Sequence, residues 1–408
     1  MRARTVSTAL SRRTCETAEP ASTGCGSAGW GVTEGHLPGG RNGRGHSDTR
    51  HICSFRSIFR SPARRRAVVP AVPHHPPTAP WPRARDGAAR SEQRSPTLRQ
   101  LRVTAVQAAP LPIGSPAEAL DALEAQARPL VDADVEHQLL VFPEMHLCGV
   151  GGLEGEARTA AFRDASEPLD GPLVTGLREV ARRLGVWLLP GSLCERGEDG
   201  ELFNTAVLLS PDGELVASYR KIFPWRPYEP FTPGDRFVVA DLPGVGRVGL
   251  SICYDSWFPE VARHLAWAGA EVVLNVVQTT TPDRAQELVL ARSTSIVNQV
   301  FTVSVNCAGP LGRGLSLVVD PEGEVLAETT DAEPGVLVVD LDLDHVTRVH
   351  EVGTAGTNRV WSQFLPDDAP LALPLYSGRI DPATWEPAAS ATVDGTRSRP
   401  THLEEIQQ

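Results

Sequence analysis

Lysine is almost absent from these 408 residues: Lys221 stands alone beside 38 arginines. An ammonium is a compact, titratable point charge, whereas guanidinium is a broad planar fork that stays charged. A lysine kept in so arginine-rich a chain is either a chance survivor of a coding bias or a site where only an ammonium works. Apolar runs are short as well. None reaches 18 residues, so no helical membrane span is expected, and no charged segment precedes a compact apolar stretch of the secretory kind. The seven cysteines, at 15, 25, 53, 148, 194, 253 and 307, are odd in number and never form CxxC, which speaks against a disulfide framework and a zinc cluster. HExxH and GxSxG are missing, so metalloprotease and serine-hydrolase chemistry have no support. GxGxxG occurs as Gly24-Cys-Gly-Ser-Ala-Gly29, which follows no strand, and as Gly244-Val-Gly-Arg-Val-Gly249, which runs into one; neither has the setting that binds a dinucleotide. The expectation is a soluble cytoplasmic protein with no metal and no cofactor, and with neither membrane nor nucleic acid as a partner.

Charge divides the chain. Residues 1–100 hold 17 Arg against 6 acidic residues, a net of +11, while residues 101–408 net −22. The first hundred residues lack apolar periodicity and are dense in Pro, Ser, Gly and Arg, as in Arg64-Arg65-Arg66 and Pro70-Ala-Val-Pro-His-His-Pro-Pro77. Such a segment cannot bury enough apolar surface to order itself. Three explanations stay open: an organelle transit segment, a basic arm, or an upstream stretch translated because the start was placed too early. Composition favours the last, with a disordered tail second. Because Met1 and Met145 are the only methionines, a shorter product would begin at a non-Met codon near residues 98–103. Nucleic-acid binding has least support, since the arginines are not interleaved with aromatics. The reading is an extension over 1–100, one domain over 101–366 and a Pro-rich tail over 367–408 that wraps another surface.

Within the domain, strands and helices alternate. Strands are expected at 102–108, 139–142, 186–190, 247–253, 271–278 and 301–306, and helices at 115–130, 171–184, 259–268 and 283–299, the first opened by Ser115-Pro116 as cap and first turn. Two hairpins share one turn type: Pro211-Asp-Gly-Glu214 joins 203–210 to 215–221, and Pro321-Glu-Gly-Glu324 joins 315–320 to 325–329. Mixed elements in this rhythm predict an α/β fold of stacked layers, with two sheets inside and helices outside.

A lone cysteine on an apolar strand is usually inert core. Cys253 has company. Glu144 follows the apolar run Leu139-Leu-Val-Phe-Pro143, Lys221 ends a third strand, and Cys253 precedes a helix opened by Pro259. A carboxylate, an ammonium and a thiol at three strand ends supply a general base, an electrostatic stabiliser and a nucleophile. In Phe142-Pro-Glu144, Tyr219-Arg-Lys221 and Cys253-Tyr-Asp-Ser-Trp-Phe-Pro-Glu260, in that order, the chain resembles the carbon–nitrogen hydrolase (nitrilase) superfamily over about 103–366. Phe231-Thr-Pro-Gly-Asp235, Asn306-Cys-Ala-Gly309, Val319-Asp-Pro-Glu-Gly323 and Gly356-Thr-Asn-Arg359 extend the likeness.

The resemblance implies a four-layer α-β-β-α sandwich with two mixed sheets, a thioester mechanism and a dimer or larger homo-oligomer. Glu144 would be the base, Cys253 the nucleophile, Lys221 and the backbone N–H of Tyr254 the oxyanion donors, and Glu229 a second glutamate positioning substrate and water. Tyr254-Asp255 after the cysteine looks like the amidase side rather than the Trp-Glu of classical nitrilases. Ser256 and Trp257 stand where some branches place an arginine for a substrate carboxylate, so a neutral or apolar carboxamide is expected. Trp225 and Trp257, with Phe223, would line an apolar pocket or be core. The alternatives are a nitrile or N-carbamoyl substrate, acyl transfer to an amine or hydroxylamine, and a non-catalytic scaffold.

Overall fold

Alternation of apolar residues along the strands determines which faces meet. In the structure, a computed structural model that describes residues 99–373 and 378–380, strands are numbered in chain order. The first sheet contains β1 (Gln100–Gln107), β2 (Gln138–Val141), β3 (Trp187–Leu189), β4 (Ser192–Arg196), β5 (Leu202–Leu209), β6 (Leu215–Arg220) and β13 (Gly335–Asp342). Their order is β13-β1-β2-β3-β5-β4, with β6 also on β5. The second contains β7 (Val239–Leu242), β8 (Gly246–Ile252), β9 (Val272–Val277), β10 (Phe301–Asn306), β11 (Leu317–Val319) and β12 (Val325–Glu328), in the order β12-β11-β10-β9-β8-β7. Both sheets are mixed. The neighbours β1, β2 and β3 run parallel, as do β8, β9 and β10, while the flanking strands run antiparallel.

Leu101, Val103 and Ala105 of β1, Leu139 and Val141 of β2, and Val272, Leu274 and Val276 of β9 share one buried cluster between the sheets. The intervening residues point outward: Leu140 meets α1 (Pro116–Ala127) and α3 (Pro172–Leu184), and Val273 meets α4 (Pro259–Trp267). α5 (Arg284–Asn298) packs its Ala291 on Leu317 and Val319 of β11. Helices therefore cover both outer faces, as the four-layer expectation requires. Each fully buried Leu or Val in these layers contributes about 1.5–3 kcal/mol, which makes the layer order a strongly determined outcome.

Local signals account for the helix ends. Ser115 accepts a hydrogen bond from the Glu118 N–H, and the Glu118 carboxylate accepts from the Ser115 N–H at 2.9 Å, a reciprocal cap for α1. Leu173, Val174, Leu177, Val180, Ala181 and Leu184 form the buried stripe of α3, which Gly185 ends in the left-handed conformation at φ 67°.

Several elements escape the sequence reading. α2 (Gly155–Asp164) buries only Phe162, so it carries almost no helical periodicity. β13 is half-exposed and pairs with β1 from more than 200 residues away. β4, β7 and α6 (Asp344–Val352) are likewise short, and β14 (Leu371–Leu373) pairs with β15 (Gly378–Ile380) inside the stretch expected to be irregular. The segment 1–98 and residues 381–408, to which the extension and most of the tail were assigned, lie outside the described residues. Arg99, just before β1, pairs with Glu271 and Asp344, both at 2.8 Å, and fastens the start of the first sheet to the second.

Candidate active site

Glu144 lies in the turn after β2. Phe142 donates its N–H to Leu189 O at 2.9 Å, and Met145, at φ 54°, donates its N–H to Ser192 Oγ at 3.0 Å. Gly191, at φ 90°, passes so near that a Cβ there would sit 1.9 Å from Pro143 O. The turn is thus wedged against the β3–β4 connection. The Glu144 side chain is buried, with Oε1 accepting from Asn204 Nδ2 at 2.8 Å.

Lys221 follows β6, and its side chain has no exposure at all. Nζ lies 3.0 Å from Glu144 Oε1 and 2.8 and 2.9 Å from the two carboxylate oxygens of Glu229. Glu229 is held in turn by the Trp225 N–H at 3.1 Å. Successive side chains of a strand point to opposite faces, which explains why arginine is accepted one residue earlier. The Arg220 guanidinium lies 3.7 Å over the Phe203 ring and pairs with Glu195, away from this junction.

Cys253 comes immediately after β8 and opens a short 3₁₀ turn, Cys253–Trp257. Its φ of 47° lies in the left-handed region that residues with a Cβ seldom adopt, and such backbone costs of order 1–3 kcal/mol that the surroundings must offset. Asp255 supplies part of that hold. Its carboxylate accepts from Tyr219 OH at 2.7 Å, from the Ile252 N–H at 3.0 Å and from the Phe223 N–H at 2.9 Å. One carboxylate therefore ties the cysteine turn to the segment that carries Lys221. Burial pushes the Asp255 carboxyl up to about 6, against the Lys221 charge and these donors.

Burial and the Glu144 charge raise the Cys253 thiol well above the ordinary thiol range, and the Lys221 charge offsets this only in part. Burial works against the Lys221 ammonium, but the charges of Glu144, Glu229 and Cys253 outweigh it and hold the ammonium well above its ordinary value. At neutral pH Lys221 is therefore an ammonium and Cys253 a neutral thiol.

The four candidates Glu144, Lys221, Glu229 and Cys253 are thus brought together, and each of the other three charges acts on the sulfur. The aromatic candidates are distributed differently. The Trp225 ring lies 4.4 Å from that of Tyr228, while Phe223 stacks on Phe258 at 3.7 Å and joins the core under α4. The Tyr254 ring meets Phe258 edge-on at 5.4 Å, and Trp257 lies 6.2 Å from Tyr254 with its Nε1 3.4 Å from Glu287. As the second residue of a 3₁₀ turn, Tyr254 has a backbone N–H with no acceptor inside that turn.

Asn204, Asp255, Thr279, Glu287 and Arg284 were not foreseen. A signal existed for Asn204, which with Thr205 is one of two polar residues in the otherwise apolar and fully buried β5. Burial and the Glu144 charge likewise push the Cys307 thiol up to about 12, and there the Lys221 charge is not among the opposing causes, as it is at Cys253. Cys148, Cys194, Cys253 and Cys307 are all unpaired buried thiols. Among the described residues, no group of three or more His, Cys, Asp or Glu side chains is arranged to hold a metal ion, and no helix is long and apolar enough to cross a membrane.

The layered fold is that of the nitrilase superfamily, as in Saccharomyces cerevisiae Nit3, with a TM-score of 0.55 at 24% identity over 62% of this chain and 94% of Nit3. A variant of the Nesterenkonia AN1 amidase, from the same superfamily, matches with a TM-score of 0.50 at 28% identity, covering 62% of this chain and 95% of the amidase. The chain belongs to the carbon–nitrogen hydrolase family, whose model matches residues 102–351. It is 33% identical over 219 residues to a formamidase of Pseudomonas syringae pv. tomato, and 42% identical over 120 residues to a formamidase of Bacillus cereus (strain Q1). These alignments cover 52% and 29% of this chain, and 62% and 36% of the two formamidases respectively.

Proposed function

We propose that this protein hydrolyses a small neutral carboxamide, formamide and short aliphatic amides included, to the acid and ammonia through a thioester on Cys253. The observation that carries this reading is the wholly buried Lys221 ammonium, at 3.0 Å from Glu144 and 2.8 Å from Glu229, beside a cysteine that remains a thiol at rest. Formamidases and an amidase among the relatives support the substrate class.

A thiol held so far from ionisation needs its proton removed as it attacks. Glu144 takes that proton while Sγ adds to the carbonyl carbon, and the oxygen gathers negative charge. Two donors meet that charge, the Tyr254 N–H and Lys221 Nζ, each worth about 3 kcal/mol when aimed at a developing oxyanion. Lys221 has three protons and three carboxylate contacts, so it releases one of its two Glu229 contacts to reach the oxygen. Glu144 then protonates the leaving nitrogen, the C–N bond breaks and ammonia departs. Water, deprotonated by Glu144 and oriented by Glu229, attacks the thioester, and sulfur leaves and regains its proton. Trp225 and Trp257 flank the acyl group in this reading, and the absence of an arginine at Ser256 and Trp257 disfavours anionic substrates.

Assembly of two or more copies in the cytoplasm belongs to the same reading. Val289, Ile296 and Val297 stand exposed on α5 as an apolar strip for a second copy, and the unpaired thiols suit a reducing compartment. Sedimentation tests the first point.

The test of the chemistry is intact mass together with ammonia release on a panel of formamide, acetamide, butyramide and a nitrile. The wild type should release ammonia and gain an acyl mass on the Cys253 peptide, and Cys253→Ala should do neither. Full ammonia release by Cys253→Ala would end the proposal.

A further inference from the structure

Thr279 and Glu287 complete the surroundings of Cys253 in a way that the base, the ammonium and the nucleophile leave unused. Thr279 lies two residues beyond β9, and its N–H donates to Asn306 Oδ1 at 2.9 Å. Its hydroxyl oxygen lies 3.9 Å from Cys253 Sγ and 2.9 and 2.7 Å from the two carboxylate oxygens of Glu287. Glu287 is buried in the first turn of α5, where Arg284 Nη1 reaches it at 3.0 Å. Arg284 is itself buried and also donates to Ser304 Oγ at 3.1 Å and to Leu315 O at 2.9 Å. A threonine hydroxyl carries one proton, and a carboxylate only accepts. With Glu287 paired to a guanidinium, that proton goes to Glu287, and Thr279 Oγ1 turns lone pairs toward the sulfur.

We propose that Thr279 and Glu287 are positioning residues: Oγ1 of Thr279, its proton captured by Glu287, accepts the Cys253 S–H and keeps the sulfur protonated and aimed until substrate arrives. This rests on the thioester reading above. Five charges face the sulfur: Glu144 from the turn after β2, Lys221 after β6, Glu229 from the following loop, and Glu287 and Arg284 from α5. Asp255 sits in the same turn as the cysteine and is occupied by its three donors. Carboxylates outnumber cations around the sulfur, and Thr279 accepts from the S–H without donating a proton to a thiolate. A premature thiolate is therefore disfavoured, and the proton leaves only when Glu144 takes it during attack.

The experiment follows alkylation of Cys253 by iodoacetamide in the full-length protein, read by peptide mass as the rate at neutral pH, where the thiolate fraction changes about tenfold for each pH unit that the thiol moves. Wild type, Glu287→Gln, Thr279→Val and Thr279→Ser are compared, with amide turnover and melting temperature recorded for each. In Glu287→Gln a charge is lost and the new amide can donate to Thr279, which frees the hydroxyl proton to turn to sulfur. The alkylation rate at neutral pH should rise about tenfold, as for a thiol lowered by about one pH unit, while kcat drops and KM stays. Thr279→Val should lose about tenfold in kcat, a size typical of lost alignment, and Thr279→Ser should restore most of it. An unchanged alkylation rate in folded Glu287→Gln overturns the proposal, as does a Thr279→Val enzyme that turns over like wild type. If Glu287→Gln does not fold, the Val and Ser pair decides. A wild type that hydrolyses no amide would sink the thioester reading while leaving the alkylation test of Thr279 and Glu287 intact.

Discussion

Replacing Lys221 by arginine keeps the charge and changes only its shape, which makes it the sharpest test of the site. Nζ sits 3.0 Å from Glu144 and 2.8 Å from Glu229 with no solvent exposure. At about 3 Å and an effective dielectric constant of about 20, each carboxylate attracts the ammonium by about 5 kcal/mol before desolvation is counted. Guanidinium retains most of that attraction. Its planar fork is larger, however, and extra volume in a close-packed interior costs about 1–3 kcal/mol. The deciding loss is catalytic: a fork gripped by two carboxylates moves its donors, and one misplaced oxyanion donor costs about 3 kcal/mol, or roughly a hundredfold in kcat. Lys221→Met is the companion variant, because it leaves two buried carboxylates without a counter-ion, at about 3–5 kcal/mol of stability.

Ammonia release gives kcat and a denaturant midpoint gives stability. Lys221→Arg should stay within about 3 kcal/mol of the wild type in stability yet lose at least about a hundredfold in kcat, whereas Lys221→Met should lose both. A folded Lys221→Arg enzyme with kcat within about threefold of wild type would refute the idea that position 221 needs a point charge.

Gly191→Ala should disturb the Glu144 turn from outside the site, since the new Cβ meets Pro143 O at 1.9 Å and the backbone sits at φ 90°. A loss of about 2–4 kcal/mol in the unfolding free energy is expected, with kcat falling in any fraction that stays folded. The buried His146 ring gives an acid-side prediction: burial lowers it from 6.5 to about 3. The unfolded chain takes up that proton as pH falls below about 6.5 and the folded chain does not, so stability drops by up to about 1.4 kcal/mol per pH unit in that window. Asp255, raised from 3.8 to about 6, acts in the opposite sense between those values, so the readout is the difference between wild type and His146→Gln. Between neutral and mildly acidic pH the urea midpoint should fall further in the wild type than in His146→Gln; parallel curves would contradict the assignment.

Much of the architecture is local enough to read along the chain. The cap at Ser115, the stripe of α3, the two Pro-x-Gly hairpins and the apolar strands ending near Glu144, Lys221 and Cys253 all follow from periodicity and turn chemistry. Composition marked Lys221, because one lysine among 38 arginines invites a chemical reason. Strand pairing was not legible in that way. Val103 faces Val339, and Arg99 meets Glu271, across stretches of chain too long for any local pattern to specify, and only the shared burial of both sheets selects those partners.

The sequence by itself therefore determined the segments and the chemical types: a carboxylate, an ammonium and a thiol at strand ends, in that order. Only the tertiary structure decided that Glu229 closes on Lys221, that Asp255 fastens the cysteine turn to Tyr219, that Phe223 belongs to the core, and that Thr279 and Glu287 stand behind the sulfur. The physical reason is the same throughout. Side-chain periodicity is a property of neighbours in the chain, whereas hydrogen bonds and charge pairs in a buried site join residues that meet only after the two sheets have packed.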